Sequence, residues 1–165
     1  MFQVNEYVVY GRTGVCLIEG VEQNYYCLRS IHQNCYIKAP IDGKIPIRRV
    51  ITRDEANALI DIIPSIRVKP MNGSNARELD AKYRALASSQ NCQELITLTM
   101  SIYARKQELR KNKKKITASD EAYMKEGEGR LFGELSIALG IPYDEVQSYI
   151  QNRVKKSAVP SCVQS

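Results

Sequence analysis

Few side chains in this chain have the types and spacing for covalent or metal chemistry. There is one histidine, His32, and there are five cysteines: Cys16, Cys27, Cys35, Cys92 and Cys162. The cysteine count is odd and no two stand as CxxC, which points away from both a disulfide framework and a zinc site. Cys16, Cys27 and Cys92 read as small buried hydrophobes with reduced thiols, and Cys162 as an exposed thiol in a polar tail. Gly11-Arg12-Thr13-Gly14 is bounded by glycines but falls between two strand-like runs. It has no helix N-terminal amides to offer a phosphate and reads as a hairpin turn. No GxGxxG, GxxxxGK[ST], HExxH or GxSxG motif occurs. His32 lies in a predicted turn and reads as a surface residue. Without a convergent set of polar groups, the expectation is no enzyme, no catalytic or metal site, no cofactor and no small-molecule substrate.

Charge carries more information. The formal net charge is +6 over 165 residues. Arg105, Lys106, Arg110, Lys111, Lys113, Lys114 and Lys115 stand against Glu108 alone, so this one stretch holds an excess equal to that of the whole chain. A concentrated basic stretch is an electrostatic footprint for a polyanion, usually nucleic acid. A solvated helix end followed by a loop would look the same. The chain has no Trp, and its tyrosines fall mostly in apolar patterns, which favours phosphate contact over base stacking.

Two kinds of element must position these residues. Phe2 to Pro40 is rich in β-branched and aromatic residues, with Gly or Asn at each break, the pattern of short strands joined by tight turns. Strands are predicted at Val4–Tyr10, Val15–Val21, Tyr25–Ile31 and Cys35–Ala39, with a short addition at Ile47–Ile51. Pro40 cannot donate to a ladder, which places Cys35–Pro40 at a sheet edge open to a partner strand or protected by Lys38. Helices follow. Thr52 and Glu55 form a capping-box pattern before a helix that Pro64 stops, expected to pack on the sheet or lead into a linker. Pro64, Pro70, Asn72, Gly73 and Ser74 mark that linker. Further helices are predicted over Asn75–Ala87, Gln93–Leu109 with Leu95, Leu98, Ile102 and Tyr103 inward, Thr117–Leu139, and Tyr143–Val154. Gly127, Gly129 and Gly133 are expected at close helix–helix approaches. The domains expected are 1–66, 67–156, and a disordered tail over 157–165. No run approaches the 18 or so apolar residues of a membrane span, and no secretory signal opens the chain. A cytoplasmic location and a monomer are expected.

FQVNEYVVYGRTGVCLIEGV, at the start, resembles the opening of CarD-family transcriptional regulators and the RNA-polymerase-interacting domain of bacterial transcription-repair coupling factors. The similarity continues through Tyr25-Tyr26-Cys27-Leu28 and Ile37-Lys38-Ala39-Pro40. It extends to Leu86-Ala87-Ser88, Tyr103-Ala104-Arg105-Lys106-Gln107 and Gly133-Glu134-Leu135-Ser136-Ile137-Ala138-Leu139 in the helical half. The resemblance implies an α+β protein: a small Tudor-like bent β-sheet or barrel followed by an all-helical module. It implies a non-enzymatic bacterial regulator whose first module docks on the RNA polymerase β subunit through Tyr36, Ile37, Lys38 and Pro40. The second would touch promoter DNA at the upstream edge of the bubble and modulate open-complex stability. Arg77 matches a DNA-contacting position, and Arg84 lies off the apolar stripe of the same helix.

The chain departs from the family pattern in several places. Asn5-Glu6 stands for Gly-Asp, Gly11 for Pro, and Asn24 lies where an arginine is expected. Many relatives carry a Trp before the first helix of the second module, which wedges into the minor groove as apolar side chains do elsewhere. Asn72 or Asn75 takes that place here, so weaker stabilisation of open complexes is expected. Glu121 stands near a family lysine, for which the Lys111, Lys113, Lys114 and Lys115 run could substitute. The alternative is a general nucleic-acid-binding protein, a Tudor-like barrel with basic helices acting without polymerase. A third possibility is an adaptor that grips another protein.

Overall fold

The computed structural model describes residues 2–66 and 76–164, with side chains through residue 156. The expected linker residues Pro70, Asn72, Gly73 and Ser74 lie outside the described residues, as does Asn75. An antiparallel five-stranded sheet comes first and five helices follow, the α+β organisation that the pattern predicts. The strands are β1 (Tyr7–Tyr10), β2 (Gly14–Val21), β3 (Tyr25–Ser30), β4 (Tyr36–Pro40) and β5 (Ile47–Arg49), in the spatial order β4-β3-β2-β1-β5. Each falls on a predicted run, because the β-branched and aromatic pattern and its turn residues agree.

Strand alternation separates two faces of the sheet. Val8, Tyr10, Cys16, Ile18, Tyr26, Leu28 and Ala39 form one core. Val9 and Val15, paired across β1 and β2, are buried on the other face. The register shifts between Ile18 and Gly20 on β2, which bends the sheet as a bulge does. The Gly11–Thr13 turn is one turn of 3-10 helix. Gly11 has φ +49°, and a Cβ there would meet Ile45 Cγ2 at 2.6 Å, so the close approach of that side chain needs glycine.

The helices are α1 (Arg53–Asp61), α2 (Ala76–Ala87), α3 (Cys92–Lys111), α4 (Ala118–Leu139) and α5 (Tyr143–Gln164). None of the described helices is long and apolar enough to cross a membrane. The Thr52–Glu55 capping box forms with both of its bonds, and a second one, Thr117–Asp120, opens α4. Of the two placements expected for α1, on the sheet or leading into a linker, the sheet is not the one its buried residues take. Ala56 and Ile60 instead join Leu95, Leu131, Leu135 and Val146 in the core of the helical half. Polar contacts fasten α1 to α5: Tyr149 Oη donates to Asn57 Oδ1 at 2.7 Å, and Arg153 pairs with Asp61 at 2.7 and 2.9 Å. A second core joins Leu79, Tyr83 and Ala87 of α2 to Leu98 and Ile102 of α3. Tyr103, predicted inward, is 55% exposed, because it lies about 100° around the helix from Ile102. The last helix runs past Val154, the predicted end, to Gln164.

Helix α4 is the shared partner, packing on α1, α2, α3, α5 and β2. Its glycines have three different surroundings. A Cβ on Gly127 would meet Thr99 Cγ2 at 2.9 Å, the expected close approach of two helices. A Cβ on Gly133 would lie 2.2 Å from His32 Nε2, so the neighbour there is an imidazole from the sheet's loop and not a helix. Gly129 faces open space.

The junction of sheet and helices is polar. Glu134, 1% exposed, accepts from both Nη atoms of Arg48 at 2.6 and 2.8 Å, from Ile51 N at 3.0 Å and from Cys92 Sγ at 3.0 Å. Arg48 Nε also donates to Gln90 O at 2.9 Å. Burial, and then the Glu134 carboxylate, push the Cys92 thiol up to about 12. At the other end of the junction Arg12 Nε and Nη2 donate to Glu126 at 2.9 and 2.7 Å.

Two outcomes follow from the junction. Glu134→Ala leaves a partly buried guanidinium, an amide and a thiol without their acceptor. It should cost about 2–4 kcal/mol, toward the lower side because Arg48 keeps some water access, read from urea unfolding. Burial holds His32 below its ordinary 6.5, against a smaller opposing effect of its bond to the Gly129 backbone. The unfolded chain therefore takes up the proton first as pH falls. The contribution of His32 is whole above 6.5 and declines below it. Unfolding curves of the wild type and His32→Asn between about pH 7 and 5 should differ in slope in that sense.

Candidate interaction surfaces

Two surfaces gather the residues that the sequence singles out. The first is the free edge of the sheet. β4 has β3 on one side only, paired from Arg29↔Tyr36 to Tyr25↔Pro40. An outer strand presents unpaired N–H and C=O groups, a template for another chain. Along it Tyr36 is 67% exposed, Ile37 is half-buried, Lys38 and Pro40 are exposed, and Ala39 is buried in the sheet core. The alternation of a half-buried strand thus sends Tyr36, Lys38 and Pro40 outward from one element.

Neighbouring strands hold these side chains in place. The guanidinium carbon of Arg29 lies 4.2 Å from the Tyr36 ring centroid, a cation–π arrangement. Arg29 also pairs with Glu19 and donates to Asn34 Oδ1 at 3.0 Å. Lys38 Nζ lies 3.3 and 3.4 Å from the Glu22 carboxylate. This pair is well exposed on both sides, so it positions Lys38 while contributing little stability. Val21 and Tyr25 add partly exposed apolar area. Sequence reasoning missed Arg29, Glu19 and Glu22. Their relation to Tyr36 and Lys38 is a cross-strand one, visible once the β2–β3–β4 register is known.

The second surface belongs to the helical half. Arg77 is exposed at the start of α2. It lines one cleft with Arg105, Thr117 and Ser119, where the starts of α2 and α4 meet. Arg84 is exposed but pairs with Asp80 at 2.8 Å, and Tyr123 Oη donates to the same carboxylate at 3.0 Å. Asn72 and Asn75 lie outside the described residues. The basic run divides. Arg105 turns inward to the fully buried Asp120 at 3.3 Å. Burial pushes the Asp120 carboxyl up, but the Thr117 N–H and hydroxyl, Tyr83 and Arg105 outweigh it and hold it below 3.8. Lys111, Lys113, Lys114 and Lys115 stay exposed at the end of α3 and in the loop after it.

That loop has a specific geometry. Lys114 N donates to Leu109 O at 2.8 Å and Lys113 N to Arg110 O at 3.0 Å, the two bonds of a Schellman turn. The left-handed position in such a turn usually holds glycine, yet here it is Lys113, with φ +58°. A cation occupies a place where a residue without a side chain would be more stable. Lys113→Gly should therefore raise stability by up to about 1 kcal/mol, measured as a higher Tm, while removing one exposed positive charge.

No three His, Cys, Asp or Glu side chains gather into a metal site among the described residues. The arrangement offers a strand edge and distributed cations, which suit binding. Residues 2–51 match the family model of the CarD-like/TRCF RID domain. No curated protein matches the chain.

Proposed function

We propose, from the match of residues 2–51 to the CarD-like/TRCF RID domain, that the chain binds the RNA polymerase β subunit through the β4 edge. The observation that carries this is the position of β4: the segment with the family's basic residue before Ala-Pro is the outer strand of the sheet and projects Tyr36 and Lys38. The matched domain is a non-catalytic interaction domain with a transcription-related, polymerase-interacting role. A partner strand adding to β4 would gain backbone hydrogen bonds, and Tyr36, Ile37, Lys38 and Pro40 would supply selectivity. The Tudor-like description of the sheet and a bacterial, cytoplasmic setting belong to the same proposal.

Promoter DNA is the proposed second partner, contacted by Arg77, Arg84, Lys111, Lys113, Lys114 and Lys115, with Asn72 or Asn75 at the place of the relatives' Trp. Such contacts would act on phosphates and carry little sequence information. Holding one contact raises the effective concentration for the other. A bias of about 1.4 kcal/mol between closed and open promoter states changes their ratio about tenfold, within reach of a few phosphate contacts. A monomer, divided near residue 66 into a polymerase-binding and a DNA-binding part, suffices for this action.

The deciding experiment is a pull-down of polymerase by the full-length chain. Capture that Lys38→Glu abolishes, with an unchanged Tm, supports the proposal. Absence of capture by the wild type would favour nucleic-acid binding without polymerase. The DNA interaction has its own readout. Replacing Lys113, Lys114 and Lys115 by Ala should flatten the dependence of log K on log salt by about 2–3, near 0.9 for each phosphate no longer neutralised. An unchanged slope would place the DNA-binding surface elsewhere.

A further inference from the structure

The junction between sheet and helices encloses a cleft of about 550 Å³ whose charge is not balanced. Arg12 and His32 reach it from the sheet's loops, and Lys125, Glu126, Arg130 and Tyr143 from α4 and α5. Arg130 is the unusual member. It is 6% exposed, and no carboxylate forms a salt bridge with it among the described residues. Its Nη atoms donate to the carbonyls of Ala87 and Ser89 at the end of α2, and its Nε has no partner. A buried charge of this kind ordinarily has a counter-ion. The carboxylate nearest in sequence, Glu128, is half-buried and interacts with Lys106, and Glu126, one turn away, is already held by both a Nε and a Nη of Arg12. Burial depresses the Arg130 pKa; Glu126 works against that depression, and Arg12 and Arg48 add to it. Among the residues lining the cleft, Arg12, Lys125 and Arg130 thus stand against the one carboxylate of Glu126. His32 lies edge-on to Tyr143 with ring centroids 4.7 Å apart.

We propose that this cleft binds a small phosphorylated ligand, bridging the sheet and the helical half, with Arg12 and Lys125 as its direct anion-binding groups and the buried charge of Arg130 behind them. The surplus of two positive charges suits a phosphate dianion. Arg12 brings planar donors that match phosphate oxygens. Arg12 keeps enough exposure to exchange Glu126 for a ligand. Tyr143 and His32 provide an aromatic wall against which a base or other flat group can lie. Gly129 lines the same cleft, and a Cβ there would meet nothing within 4 Å. This site is independent of the polymerase and DNA contacts proposed above, because it uses none of their residues.

The test is calorimetric titration of the full-length protein, in phosphate-free buffer, with pyrophosphate and with adenosine diphosphate. Saturable one-to-one binding of either is expected. Arg12→Gln should weaken it about tenfold or more, the effect of removing one charge-assisted bond. Gly129→Leu should weaken it comparably by filling the cleft. Because that side chain enters open space in a helix, the variant should keep its fold, which its Tm and circular dichroism report. Replacing Lys113, Lys114 and Lys115 by Ala should leave binding unchanged. Three results would overturn the proposal. One is no saturable binding at millimolar ligand. Another is binding abolished in the triple lysine variant and retained in Arg12→Gln and Gly129→Leu. The last is a cleft that serves only nucleic-acid phosphates, with both cleft variants weakening binding of a DNA duplex while neither small ligand binds.

Discussion

The fold depends on one buried carboxylate. Glu134 sits in the C-terminal third of α4, the helix on which the rest of the helical half packs, and it accepts from β5, from the chain just before α1 and from the first residue of α3. Removing an ion from water is costly, and attraction in the interior offsets that cost only when the geometry is good and the remaining lone pairs are used. Both conditions hold here, with a bidentate arginine and an amide and a thiol besides. Such a group contributes less to stability than to uniqueness. An apolar contact would tolerate α4 sliding along the sheet, whereas a carboxylate that must meet an arginine, an amide and a thiol admits one register.

That register ties the two halves of the molecule together. β5 is the edge strand opposite β4, and it carries the arginine that Glu134 holds. The chain then enters α1, which lies in the helical core and is latched to α5. Helical packing therefore begins well before residues 67–75, and the sheet is anchored to it through β5 and α1. At the other end of the interface Arg12 and Glu126 make a second cross-link, and His32 sits in the notch that Gly133 leaves. The two contacts proposed above would gain from such anchoring. When the tether between them is stiff and matched to the span, the second contact forms at a high effective concentration.

Much of this architecture was legible in the sequence, and the rest was hidden for identifiable reasons. Strands and caps are local properties. The Tyr7–Tyr10 and Gly14–Val21 runs announce themselves by alternation and turn residues, and Thr52 and Thr117 by the acid three residues on. The destination of α1 is not local. Its apolar stripe of Ala56 and Ile60 fits a sheet or a helix equally well, and only the tertiary structure decides. Arg48, Arg130 and Glu134 carry no local signal of burial, since their partners lie dozens of residues away. Gly133 shows the same limit, because glycine in a helix signals a close neighbour without saying that the neighbour is a histidine from a loop. At the β4 edge Tyr36, Lys38 and Pro40 were readable from the strand and its proline. Arg29, Glu19 and Glu22, which hold them, required the cross-strand register.

The basic run shows how a charge count can mislead about a surface. Read as a sequence, Arg105 to Lys115 is one patch. In three dimensions Arg105 is an internal cation that neutralises Asp120 and so helps hold the α4 capping box. The lysines beyond the end of α3 play no comparable part in the core. Lys113 is instructive because its backbone is strained where it stands. A left-handed residue with a side chain costs stability that glycine would restore, so packing does not account for its presence there. Strain without a structural benefit is where a binding role becomes the simpler explanation. The proposal that the exposed cations beside it contact a polyanion gains from the loop geometry a support that the count of lysines alone does not give.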